Sequence, residues 1–193
     1  MGFKYRITSN EKYFLTLTVV DWIDVFTRKE LSEIVTDSLR FCQKNKNLQI
    51  YAWCLMPSHL HLVVSVEDER FTLSDVMRDF KKYTSKLIVK TISEIAESRK
   101  QWLLNHFAYA GKYDPKITNY KFWQEGLHPI EITSGKFIDQ KINYIHQNPV
   151  EAGIVYRAED YVWSSAAQYS GEYNALLEVI LIEDLDSGIA NPR

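Results

Sequence analysis

Leu48-Gln49-Ile50-Tyr51-Ala52-Trp53-Cys54-Leu55-Met56-Pro57-Ser58-His59-Leu60-His61-Leu62-Val63-Val64-Ser65-Val66 reads as two strands and the turn between them. The runs Leu48 to Leu55 and Leu60 to Val66 are the strands, and Met56-Pro57-Ser58 is a natural hairpin connection because proline presets the turn. Side chains on a strand alternate between its two faces, so His59 and His61 point to one side and Leu60 to the other, into a core. Two imidazoles are thereby aimed at one region of space. That spacing serves a divalent-metal site and a pair of half-buried structural histidines alike, because His-x-His is short and recurs by chance.

Upstream, Tyr13 to Val20 alternates and is rich in β-branched and aromatic residues, the pattern of a strand. Leu31, Ile34, Val35, Leu39 and Cys42 then fall at helical spacing within Lys29 to Lys44, and Asn45 to Asn47 ends that helix. Downstream, a long helical pattern runs from about Leu73 to Ile95, with Val76, Phe80, Tyr83, Leu87 and Val89 facing inward. Ala108 to Tyr120, with Gly111, Asp114-Pro115 and Asn119, reads as a loop. A strand pair is expected around Gly126 within Tyr120 to Thr133. Ser134 to about Asn148 is amphipathic, with Ile138, Ile142 and Ile145 on one face and Pro149 as its stop. The order β-α-β-β-α-β predicts an α+β fold: a ferredoxin-like split βαβ sandwich with one antiparallel sheet and helices on one face.

The length of 193 residues suits one domain. We place that domain at 1–171 and read 172–193 as an acidic tail, with Tyr161, Trp163, Tyr169 and Tyr173 docking the chain after Asp160 on the body. Net charge is -2, but Glu172, Glu178, Glu183, Asp184 and Asp186 against Arg193 give the tail -4 and leave the body at +2. Whole-chain charge is therefore a poor guide to partners. No run approaches the roughly 18 apolar residues of a membrane span. Met1 to Arg6 has no secretory signal, and Arg6 breaks a lipidation motif at Gly2, so a cytoplasmic, membrane-free protein is expected. Cys42 and Cys54 form no CxxC or disulfide framework and read as reduced, buried thiols.

Tyr144 and Asn148 are four apart on the last helix, so they lie about 40° apart on one face, in a row with Phe137 and Lys141. The row flanks the isoleucine stripe, where a tyrosine is ordinarily a boundary packing residue. His146 points about 200° away from Tyr144, and His106 and His128 have no partner at ligand spacing.

Taken in order, Pro57-Ser58-His59-Leu60-His61, Phe122-Trp123-Gln124-Glu125-Gly126, Tyr144-Ile145-His146-Gln147-Asn148-Pro149-Val150-Glu151-Ala152-Gly153 and Trp163-Ser164-Ser165-Ala166 resemble the REP-associated tyrosine transposases. These belong to the bacterial, insertion-sequence type of single-tyrosine HUH transposases, and the resemblance covers about Tyr13 to Gly171. It implies a domain that cuts and rejoins single-stranded DNA, hairpin or palindromic, acting as a monomer or a homodimer. By motif match His59 and His61 take the metal-ligand positions and Tyr144 the nucleophile position. Asn148 takes the polar position one turn later, where related enzymes carry Gln.

The residue types suit that chemistry. A divalent cation polarises a phosphodiester whose oxygens repel nucleophiles, and neutral His and Asn ligands leave the ion its full charge and admit Mg²⁺ or Mn²⁺. A phenol of ordinary pKa is only about 0.1% ionised at pH 7 and needs a cationic neighbour, a part open to Lys141 or the metal. An aryl phosphate ester would store the cleaved linkage for rejoining. For DNA binding, Arg78, Lys81, Lys82, Thr84, Ser85 and Lys86 offer cations and hydroxyls on the long helix, within a stretch from Arg78 to Lys100 of seven bases and three acids. Two rival readings are a metal hydrolase with water as nucleophile and a domesticated DNA-binding module.

Overall fold

The computed structural model describes residues 11–68, 70–112, 119–172 and 175–182. The element order is β1 (Tyr13–Thr18), α1 (Lys29–Lys46), β2 (Leu48–Met56), β3 (His59–Val66), α2 (Leu73–Glu94), α3 (Lys100–Lys112), β4 (Ile130–Glu131), α4 (Gly135–Glu151) and α5 (Ala166–Tyr169). The strands form one antiparallel sheet in the order β2-β3-β1-β4, the split βαβ arrangement expected of this element order.

Local chemistry sets the boundaries. Thr72 and Asp75 form a reciprocal capping box that starts α2, and Asn47 ends α1 in a left-handed conformation that asparagine tolerates. Ser134 caps α4, its hydroxyl accepting from the Phe137 amide at 3.3 Å. Pro149 does not stop α4. It sits in the last turn, which runs on to Glu151, and there a missing N–H forfeits only one helical bond.

Helices cover both faces of the sheet, not one. Leu15, Leu17, Leu60, Leu62 and Val64 point into a main core closed by α1, α2 and α3, while Phe14, Tyr51, Ala52, Cys54 and Val63 meet Ile138, Ile142 and Ile145 of α4 on the opposite face. Helical periodicity identifies which side chains of α4 are buried, but not which face of the sheet receives them. A register shift between Ile50 and Ala52 puts both Tyr51 and Ala52 on the α4 face, so that Trp53 and Leu55 return to the main core.

Other expectations changed in detail. Ala108 to Lys112 is the end of α3, whose Leu103 and Phe107 are fully buried, and 113–118 lies outside the described residues. Of the expected strand pair around Gly126, β4 and a single bridge between Val19 and Trp123 are present. Cys42 and Cys54 are free and buried. Leu177 is buried in the main core, and Arg40 and Gln43 donate to the Leu176 and Glu178 carbonyls. Tyr173, Glu183, Asp184 and Asp186 lie outside the described residues.

The open side of β2 is occupied. The Leu55 amide donates to the Trp163 carbonyl at 2.8 Å, the Ser165 amide to Trp53 at 3.0 Å, and the Ile180 amide to Ile50 at 2.9 Å. His146 secures this segment to α4: its Nε2 lies 2.8 Å from Ser165 Oγ, and its ring packs on Tyr169.

Burial lowers the His146 pKa to about 4 from the ordinary 6.5. Between those values the unfolded chain takes up a proton that the folded chain refuses, so stability drops as pH falls, by about 1.4 kcal/mol per unit for this group. His146→Gln should flatten the fall in unfolding free energy between pH 6.5 and 4 by that amount, measured by urea denaturation across the range; parallel wild-type and variant curves would contradict it.

Candidate active site

β3 presents His59 and His61 on the face covered by α4, while Leu60 between them is buried in the main core. Their rings lie 4.6 Å apart, centre to centre. Each is held by a hydroxyl: His61 Nδ1 is 2.9 Å from Thr16 Oγ1 and His59 Nδ1 is 3.0 Å from Ser58 Oγ. Thr16 is the cross-strand partner of His61 in β1, so the strand register itself delivers the hydroxyl.

With Nδ1 engaged, Nε2 of each ring is the nitrogen left for a ligand. His61 Nε2 is buried with no hydrogen-bond partner among the described residues. Burial, then the nearby His59 and Lys141, pushes the His61 pKa down to about 3, and burial lowers that of His59 against a weaker opposing pull from Asp24. Both imidazoles are therefore neutral near pH 7, the state in which they can ligate a metal. In the tautomer whose Nδ1–H donates to Thr16, Nε2 carries a buried lone pair without a partner, which fits a cation better than it fits a packing role, because leaving such an atom unpaired costs about 1–3 kcal/mol.

α4 brings Tyr144 to the same place. Its ring centre is 5.4 Å from that of His61 and 6.0 Å from that of Phe14, both edge-on, and Tyr144 is 45% exposed. Lys141, one turn earlier, places its ammonium 4.5 Å from the Phe14 ring centre, 5.2 Å from Phe137 and 5.9 Å from Tyr144. The Asn148 amide nitrogen donates back to the Tyr144 carbonyl at 2.9 Å, a bond that leaves its amide oxygen unspent. Among the described residues no group of three or more His, Cys, Asp or Glu is placed to hold a metal ion, so further ligands to an ion at the histidine pair would have to be of another type.

The α2 run behaves differently. Thr84 is fully buried, donating to the Phe80 carbonyl and accepting from Trp123 Nε1 at 2.9 Å, so it is a core residue rather than a DNA contact. Lys81 is tied to the Gln124 and Gly126 carbonyls at 2.6 and 3.0 Å, and burial lowers its pKa. Ser85 donates to the Lys81 carbonyl, and Arg78 is paired with Asp75 and Asp79. Lys82 and Lys86 remain exposed and border a groove of about 750 Å³ with Lys90 and Tyr120. α2 itself packs on the face of the sheet opposite the histidine pair.

His146 is structural and His106 pairs with Asp21 at 2.7 Å; neither joins the site. Thr16, Ser58 and Phe14 are site residues that spacing alone does not single out. The one available signal was the Thr16, Thr18 alternation in β1, which matches the His59, His61 alternation across from it.

Among the described residues no helix is long and apolar enough to cross a membrane. No curated protein sequence matches the chain. Among solved structures it is similar to a REP-associated tyrosine transposase bound to a REP hairpin, with 16% identity, a TM-score of 0.63, and coverage of 100% of this chain and 99% of that one. A crystal structure from Deinococcus radiodurans R1, assigned as a transposase only provisionally, shares 17% identity over 76% of this chain and 98% of its own, and its TM-score of 0.41 is too low to bear on the fold. The sequence model described as "Transposase IS200 like" matches residues 8–120, a span that contains His59 and His61 and stops before Tyr144. That match takes in more than half of the sequence, and the chain belongs to the IS200-like transposase family.

Proposed function

We propose that this chain cleaves and rejoins single-stranded DNA by way of a 5′-phosphotyrosine on Tyr144, beside a divalent ion held by His59 and His61. The observation that carries the reading is the partnerless, buried Nε2 of His61 with the half-exposed Tyr144 ring 5.4 Å away, centre to centre. A neutral imidazole pair that packing keeps unprotonated suits a Mg²⁺ or Mn²⁺ ion, which when bound would supply Lewis-acid polarisation of the scissile phosphate. The Asn148 amide oxygen is the third ligand in this reading. The DNA is a hairpin, as in the REP-associated relative whose fold the chain shares.

In the cleavage step Tyr144 Oη bonds to phosphorus, the bond from phosphorus to the 3′-oxygen breaks, and that oxygen leaves as a hydroxyl. The phenol gives up one proton and the 3′-oxygen gains one, so the step balances without an external reagent. The Lys141 ammonium favours the developing phenolate. A 3′-hydroxyl attacking the phosphotyrosine reverses the sequence and rejoins the strand.

Labelled hairpin DNA with Mn²⁺ or Mg²⁺ should yield a denaturant-stable adduct that disappears in Tyr144→Phe. Cleaved product with no adduct in the wild type would favour water as nucleophile, and binding without cleavage a DNA-binding module. Thr16→Val removes the hydroxyl that orients His61 and should weaken Mn²⁺ binding by about tenfold or more in calorimetry, with Thr16→Ser close to wild type. Unchanged affinity in Thr16→Val would remove the support for His61 as a ligand. If Lys82 and Lys86 meet phosphates, replacing both by Ala should reduce the slope of log affinity against log salt by about 1.4 to 1.8. An unchanged slope would take the α2 groove out of the DNA path.

A further inference from the structure

Trp22 stands beside the histidine pair in a backbone conformation that the surrounding structure enforces. Asp21 and Trp22 have φ of 54° and 57°, two successive left-handed residues, neither of them glycine. Such residues are strained and persist where neighbouring bonds over-determine them. Here the neighbours do so. The Val19 amide donates to Ser58 at 2.9 Å, the Val20 amide to Phe122 at 2.8 Å and the Trp22 amide to Val19 at 3.0 Å, while Val25 and Phe26 both donate to Pro57. The Asp21 carboxylate is fixed on His106.

The outcome is an indole held in the open. Trp22 is 58% exposed, although Trp53 and Trp123 of the same chain are buried, and its ring centre lies 5.2 Å from that of His59 at a steep angle of 69°. Thr18 is the cross-strand partner of His59, so the chain leaving β1 emerges at the end of the sheet where the histidines stand. An aromatic plane fixed in water next to a phosphate-handling site is the arrangement that stacks an unpaired base, and it does so with little regard to base identity.

We infer that Trp22 is the stacking platform for one nucleobase of the single strand flanking the scissile phosphate, an inference that rests on the cleavage reading of His59, His61 and Tyr144. Trp22 is in this view a positioning residue. It sets which phosphate of a flexible strand comes to rest at the histidine pair.

The test uses the full chain carrying Tyr144→Phe, so that binding is measured without cleavage, and a hairpin oligonucleotide in which each single-stranded position in turn is made abasic. Trp22→Ala should weaken binding of the intact strand about tenfold, and Trp22→Tyr only slightly. One abasic position should weaken binding to the Trp22 protein by a similar factor and leave Trp22→Ala no weaker than it already is. Equal losses for both proteins at every position would overturn the platform. So would Trp22→Ala losing Mn²⁺ affinity along with DNA, which would make the ring a support for His59, or dissociating a dimer. Absence of any wild-type adduct would count against the cleavage reading alone, because the abasic series is read independently of chemistry.

Discussion

Burial on both faces of the sheet is the constraint from which the rest of this structure follows. Leu60, Leu62 and Val64 are all fully enclosed by the main core, and burying each such side chain contributes about 1.5–3 kcal/mol. A one-residue slip of β3 would send two imidazoles into that core and three apolar side chains to the other face. The phase of β3 is therefore fixed by apolar packing, and the histidines inherit their direction from it. The same alternation aligns Thr16 and Thr18 of β1 and, past the irregularity at Tyr51, Cys54 and Met56 of β2 with the two histidines.

α4 completes the site through the same logic. Its isoleucine stripe must cover Phe14, Tyr51 and Val63, and the flank of that stripe is the row that holds Lys141 and Tyr144. The seam between sheet and helix is thus where a nonpolar packing requirement meets polar groups it cannot absorb. Desolvation keeps the imidazoles neutral, hydroxyls orient them, and aromatic rings surround the Lys141 ammonium. The chemistry of this seam is a by-product of how the two cores are divided.

Much of this was legible in the sequence because it rests on local periodicity. The two strands of the hairpin, the shared face of His59 and His61 and the buried isoleucine face of α4 follow from spacings of two or of three and four. What was not legible depends on contacts between distant segments. Periodicity could not tell that α4 takes the face opposite α1 and α2. It could not tell that Thr84 and Lys81, which look like phosphate ligands on a basic helix, are claimed by Trp123 and by the Gln124 and Gly126 carbonyls. α3 carries only two fully buried large side chains, Leu103 and Phe107, too sparse a stripe to stand out. Tyr144 is a different case, since its spacing places it in a row but only the family motif suggests what it does there.

The hydrogen bonds along the outer side of β2 bear on how copies of this chain could meet. A sheet grows most readily by adding a strand to an edge with free amides and carbonyls. At Leu55, Trp53 and Ile50 those groups are spent on Trp163, Ser165 and Ile180, and the opposite margin, β4, is only Ile130–Glu131. A second molecule would have to displace the chain's own segment to continue the sheet past β2, and it would find little strand to extend at β4. Any self-association would thus be directed toward side-chain surfaces and away from the open-ended stacking of strands.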